Sequence, residues 1–414
     1  MADRTVYLAA AVRDACGVNL SPGAVVVEGS DPVTVVAVGS PEELRGAGRV
    51  VDLGDRLLMP AMVNAHAHLE LTSLGPRPYE AEGGFFGWVS GVRERSGDLH
   101  QEPEAETSVY RASLRDGLRQ SRLAGVAAVG DVATYDLAAT ERLRSGLLGV
   151  TFIELFGVGD PHHRAALERV HRGAPEGAGW QPHAPYSASH SLYGAAAWSG
   201  RPVCTHFCEL IEEVQFVAHA DGPCRQYLES IGRWSPEAEP RYRQGWSPAY
   251  WMEPALRARP WLLAHAHYLD DRDIMLLADT NASVAYCPVA ADYYGHPQQG
   301  REPHRYQELI AAGVNVCLGT DSIVCQPDKA VQPLGILGQM RRLHRRDGAN
   351  PQLLLEMATV RGARALGLDE GLFTLSEGPV AGLVSAALGQ ASSQDALERV
   401  LDHDEPVSLV GSEG

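Results

Sequence analysis

Five short stretches of the chain close an apolar run with histidine or a carboxylate. MPAMVNAHAHLEL carries His66 and His68, PVCTHFCEL carries His206 and Glu209, and WLLAHAHYL carries His265 and His267. VNVCLGTDS carries Asp321 and Ser322, and QPHAPYSAS carries His183. Side chains two apart on a strand project from the same face, so His66 and His68 can grip one ion. Imidazole and carboxylate are donors that hold divalent metals. Taken singly, each stretch reads more readily as a structural strand terminus than as a functional one. Their coincidence at the ends of several strands points to a catalytic metal centre.

Such a centre needs a frame that brings distant strand ends together. Apolar runs at residues 58–65, 126–132, 149–156, 180–184, 202–207, 261–266, 283–287 and 314–320 have the composition of strands buried on both faces. Helical patterns at 108–124, 164–170, 271–278 and 351–365 separate many of them. This alternation predicts an α/β chain folded as a (β/α)8 TIM-type barrel over residues 58–367. The metal-type residues then close strands one, four, five, six and eight at the barrel's catalytic end. A doubly wound open sheet is the runner-up, but no Gly-x-Gly-x-x-Gly turn follows a strand here. Short β-like runs before residue 57 and after 368 predict a small β-sandwich domain, 1–57 with 368–414, formed from both termini. Residues 70–106, with GGFFGWV, and 210–258 interrupt the regular spacing and read as long loops at the mouth.

Bulk properties narrow the partner. The 414 residues carry a formal net charge of −17 and no Lys/Arg-rich run, which disfavours nucleic acid and anionic membranes. No stretch reaches the ~18 apolar residues of a membrane span, and the first residues do not read as a signal peptide. Seven cysteines without a Cys-x-x-Cys pair suit a reduced, cytoplasmic protein. Cys204 and Cys208 flank His206 as core thiols or as soft metal ligands. The expected partner is a small molecule; a homo-oligomer is left open.

NAHAH, THFCE, LAHAHYL and LGTDS as a set resemble the amidohydrolase superfamily. The branch they are most similar to contains the deaminases and chlorohydrolases, including cytosine, S-adenosylhomocysteine and aminodeoxyfutalosine deaminases. The NAHAHLEL wording and ESIGRW look most like the aminodeoxyfutalosine side. The resemblance implies His66, His68, His206 and Asp321 as metal ligands, Glu209 as proton shuttle, His265 beside the reacting water and His183 facing the substrate. Asp321 and His265 are the residues that could take or orient the water's proton. Two departures stand out: the usual CPxSN after the seventh strand reads CPVAADYYGHP, and the usual PGxxADL reads EGPVAGLV. Binuclear relatives use a carboxylated lysine as a bridge, yet Lys329 is the only lysine among the 35 basic residues. One divalent metal is therefore expected, zinc first and ferrous iron also suited.

The implied reaction is hydrolytic deamination of an amino-substituted N-heterocycle, purine- or nucleoside-like, with release of ammonia. Dechlorination or cyclic amide hydrolysis at the same site is the alternative. A catalytically inactive binding relative is a third, disfavoured because all four ligands and Glu209 are present. Phe85, Phe86, Trp88 and Tyr186 could stack on a planar ring or serve core packing. Ser187 and Ser322 are candidate polar contacts.

Overall fold

Eight strands, Met62–Ala67, Val126–Ala133, Leu148–Leu155, Ala178–Pro182, Cys204–Phe207, Leu262–His265, Ser283–Tyr286 and Asn315–Leu318, form two four-stranded parallel sheets in a computed structural model. The structure describes residues 4–29, 32–79, 81–159, 161–298, 303–389 and 393–411. Strand order follows the chain within each sheet. The sheets meet at two seams. At one, Trp180 bridges to Val203 in parallel; at the other, Ala67 bridges to Asp321. Backbone bonds reinforce both: His206 N–H donates to His183 O at 2.9 Å, and the Thr320 and Asp321 amides reach His66 O at 3.0 Å. Most strand residues are buried, as parallel strands covered on both faces must be.

Amphipathic helices pack around these strands. Val109–Leu123 starts where the Ser108 hydroxyl accepts the Arg111 amide at 3.2 Å, and it buries Tyr110, Leu114 and Leu118 at helical spacing. Asp271–Asp279 opens on a capping box made by Asp270 and Asp273. The expected single helix over 351–365 is two, Pro351–Ala358 and Val360–Ala365. Thr359 separates them at φ −130°, its hydroxyl bonded to Leu355 O at 2.6 Å, and this β-branched residue replaces a helical turn with a bend.

The apolar run over 58–65 also divides. Arg56–Pro60 pairs with Leu383–Ala387 and Ala11–Arg13 in one of two five-stranded sheets, and only Met62–Ala67 joins the parallel set. Apolar composition is the same on both sides of this crossing, so the run alone could not locate it. The two five-stranded sheets draw strands from Arg4–Ala9 through Arg56–Pro60 and from Gly378–Val380 to Val407–Leu409. Tyr7, Val25, Val27, Leu58, Val380 and Leu383 form their shared core.

The two insertions are helical rather than open loops. The first contains Leu69–Leu74 and Gly84–Arg95; the second contains Ile211–His219, Pro223–Ser230 and Pro248–Ala258. Among the described residues no helix is long and apolar enough to cross a membrane.

Candidate metal centre

His66 lies on the first parallel strand and His68 just beyond it; His206 lies on the fifth, His265 ends the sixth and Asp321 follows the eighth. Pairing brings these ends to one mouth. His68 Nε2 is 3.2 Å from His206 Nε2 and 3.5 Å from Asp321 Oδ1. The His66 ring centroid lies 5.1, 5.2 and 5.4 Å from those of His68, His206 and His265. Among the described residues four sets have ligand atoms within 4.8 Å of one another, and three of them are His66–His206–His265, His66–His68–Asp321 and Glu209–His265–Asp321. They share members, so one centre can draw on all of them.

Burial drives every one of these histidines towards the neutral form. His66, His206 and His265 titrate far below the ordinary value, pushed first by desolvation and then by neighbouring imidazoles. His68 is pushed down to about 4 by burial alone. Both ring nitrogens of His66 are buried without a hydrogen-bond partner. Orphaned buried nitrogens are costly, and a lone pair aimed among other lone pairs and a carboxylate suits a cation. The donor set fits a divalent metal on chemistry as well as distance.

The backbone is strained at the same place. Cys208, His265, Ala266 and Asp321 all adopt positive φ, at 46°, 75°, 58° and 60°. Such conformations cost ~1–3 kcal/mol each and persist where surrounding structure enforces them. Gly319 permits the close approach of the eighth strand to the first, since a Cβ there would lie 2.8 Å from the Cβ of His66.

Glu209 sits across this mouth, its Oε1 3.7 Å from His265 Nε2. Burial raises its pKa well above the carboxylate range, and Asp321 and Glu213 raise it further. Burial likewise moves Asp321 up to about 6, against hydrogen bonds from Ser322 and Cys325. His183 follows the fourth strand, with its ring 4.9 Å from that of His206, stacked on Phe156 at 4.5 Å and with Nδ1 2.6 Å from Ser187 Oγ.

The remaining expected contacts divide. Tyr186 meets His183 edge-on at 5.8 Å and Phe86 at 5.7 Å, so it lines the same side. Trp88 donates from Nε1 to Tyr293 OH at 2.9 Å and packs with Phe85 and Tyr294 in an aromatic cluster. The Ser322 hydroxyl accepts from Val324 N–H at 3.1 Å as the cap of a short turn, while its amide donates to Asp321 Oδ1 at 2.7 Å. Cys204 and Cys208 join none of the ligand sets.

Several neighbours have no motif to announce them. Glu154, on the third strand, groups with His183 and His206 within 4.8 Å. Gln181 Nε2 lies 3.4 Å from the His206 ring nitrogens. CPVAADYYGHP folds as the helix Pro288–Tyr294, whose last tyrosine reaches Cys325 Sγ at 3.0 Å, next to Asp321. A polar residue inside an apolar strand was the available signal for Glu154 and Gln181.

The chain is 26% identical over 387 residues to a 5-methylthioadenosine/S-adenosylhomocysteine deaminase of Halobacterium salinarum, covering 87% of this chain and 80% of that one. It is 29% identical over 376 residues to an aminodeoxyfutalosine deaminase of Deinococcus radiodurans, covering 84% and 82%. The fold is similar to that of Helicobacter pylori aminofutalosine deaminase in complex with methylthio-coformycin, at TM-score 0.75 and 19% identity over 97% of both chains. It is also similar to that of Arthrobacter aurescens atrazine chlorohydrolase complexed with zinc, at TM-score 0.73 and 19% identity over 97% and 92%. The profile of the amidohydrolase family matches residues 57–409, from the crossing into the parallel strands to the last strand of the small sheets, and the chain belongs to that family.

Proposed function

We propose that this protein is a metal-dependent hydrolytic deaminase whose substrate is an amino-substituted N-heterocycle of the adenosine-like class. The observation that carries the reading is the convergence of His66, His68, His206 and Asp321 with Glu209 and His265 at one strained strand mouth. The two half-sheets, joined at both seams, are read as one (β/α)8 barrel beside a small β domain built from both ends of the chain.

His66, His68, His206 and Asp321 would hold one divalent metal, and zinc is favoured by the donor set and by the zinc in the similar chlorohydrolase structure. A metal bound there would acidify a water towards a pKa of ~7. Glu209, whose pKa burial raises, delivers a proton to the ring nitrogen beside the reacting carbon. It then takes up a proton released by the adding water and passes it to the departing amino group, which leaves as ammonia. His265, 3.7 Å from Glu209, orients the attacking water and stabilises the charge that develops on oxygen. His183 and Tyr186 face the heterocycle, and the aromatic cluster around Trp88 excludes water from one side.

Dechlorination is the second reading, favoured by the likeness to atrazine chlorohydrolase. A panel of adenosine, 5′-methylthioadenosine, aminopurines, pyrimidines and amino- or chlorotriazines, scored for ammonia and chloride separately, decides between them. Ammonia from adenosine-like compounds is the expected result; chloride release without ammonia would replace this reading with the second.

A further inference from the structure

Glu213 is a fully buried carboxylate four residues beyond Glu209, with no basic side chain paired to it among the described residues. Its Oε1 accepts the Cys208 amide at 2.8 Å, and the Glu209 amide also faces the carboxyl. Its Oε2 is buried without a hydrogen-bond partner. From the other side, His267 Nδ1 lies 3.2 Å from the Glu209 carbonyl oxygen. The peptide bearing Glu209 is thus held at the amide end by Glu213 and at the carbonyl end by His267. Between His206 and Glu209 the chain passes through Cys208 at φ +46°, a conformation that needs an external tie to persist.

A buried acid carries a desolvation cost that an apolar residue would not, so its presence calls for a compensating role. Here the role is geometric. We infer that Glu213 is a positioning residue, which holds the strained Cys208 turn and so aims the Glu209 carboxyl at the reacting atoms. Loss of this tie relaxes the turn and shifts Glu209 without touching the metal ligands. Misplacement by about 1 Å suffices for a rate loss of ~100-fold.

The inference rests on the reading of Glu209 as the proton-transfer group, and the test separates the two. Glu213→Gln keeps an acceptor at the same reach, whereas Glu213→Asp keeps the acid but withdraws it by one methylene. With 5′-methylthioadenosine as substrate, kcat of Glu213→Asp falls ~10- to 100-fold at nearly unchanged KM, because the loss is one of alignment rather than binding. Glu213→Gln stays within ~3-fold of the parent, because its amide oxygen can still accept the Cys208 N–H. Both variants retain the parent's metal content. An Asp variant as fast as the parent, a Gln variant as slow as the Asp variant, or loss of metal in either overturns the inference. Glu209→Gln run alongside distinguishes the failures: activity there removes the reading of Glu209 itself. An inactive Glu209→Gln beside an unimpaired Glu213→Asp removes only the positioning role.

Discussion

The two ends of the parallel strands are built on opposite terms. At the mouth, histidines and acids crowd together, ring nitrogens lack partners, and four residues outside glycine sit at positive φ. At the floor the same strands begin around a cavity of about 470 Å³ lined by Phe152, Trp261, Leu277 and Val314 together with Arg259 and Asn315. Among the described residues outside glycine, none within the strands at this lower end has positive φ, and Asn281 at φ 53° lies in the turn before the seventh. The contrast teaches where stability and chemistry are separated: the floor supplies packing, and the mouth holds groups that packing alone would not tolerate.

If that division holds, substitutions at the two ends fail in different ways. The largest effect belongs to the proposed ligands. His66→Ala or Asp321→Ala should lose metal by elemental analysis and lower turnover by at least ~10,000-fold, since water without a metal is a far weaker nucleophile at neutral pH. Glu209→Gln comes next: metal content stays at the parent level while turnover falls ~100- to 10,000-fold, the range for a lost acid–base group. At the floor, Leu277→Ala should leave turnover per folded molecule unchanged while lowering unfolding free energy by ~3 kcal/mol in a denaturant titration. Reduced turnover there, in protein that is fully folded, would blur the division.

The smallest effect is a pH slope. Burial raises the pKa of the Asp131 carboxyl from the ordinary 3.8 to about 8, opposed by the hydrogen bond from the Leu69 amide. Between those values the folded chain keeps a proton that the unfolded chain releases, so stability declines as pH rises through about 4 to 8. Asp131→Asn should flatten the unfolding free energy against pH between 6 and 8, by at most the ~1.4 kcal/mol per pH unit of one titrating group. An unchanged slope would place the ionisation elsewhere.

Much of the mouth was legible in the sequence because its residues sit at strand ends, where an apolar run makes the following polar residue conspicuous. His66 and His68 carry the further mark of a two-residue period, which is a property of strands themselves. Glu154 and Gln181 were not legible: each is one polar residue inside an apolar strand, and only pairing with neighbours shows which face it lines. The crossing near Ala61 was hidden for a related reason, because Leu58, Met59 and Met62 are equally apolar whichever sheet they join. Trp88 was singled out as a ring-stacking candidate, but its bond to Tyr293 spans 205 positions and belongs to tertiary packing that no local pattern encodes.

The metal dependence of deamination is the central claim, and it can be measured directly. The purified chain is stripped with a chelator, then titrated with zinc while ammonia release from 5′-methylthioadenosine is followed. Activity that vanishes on stripping and returns in full at about one zinc per chain is the predicted result, as a single three-histidine, one-carboxylate site requires. Full activity in protein shown to contain no metal would contradict it.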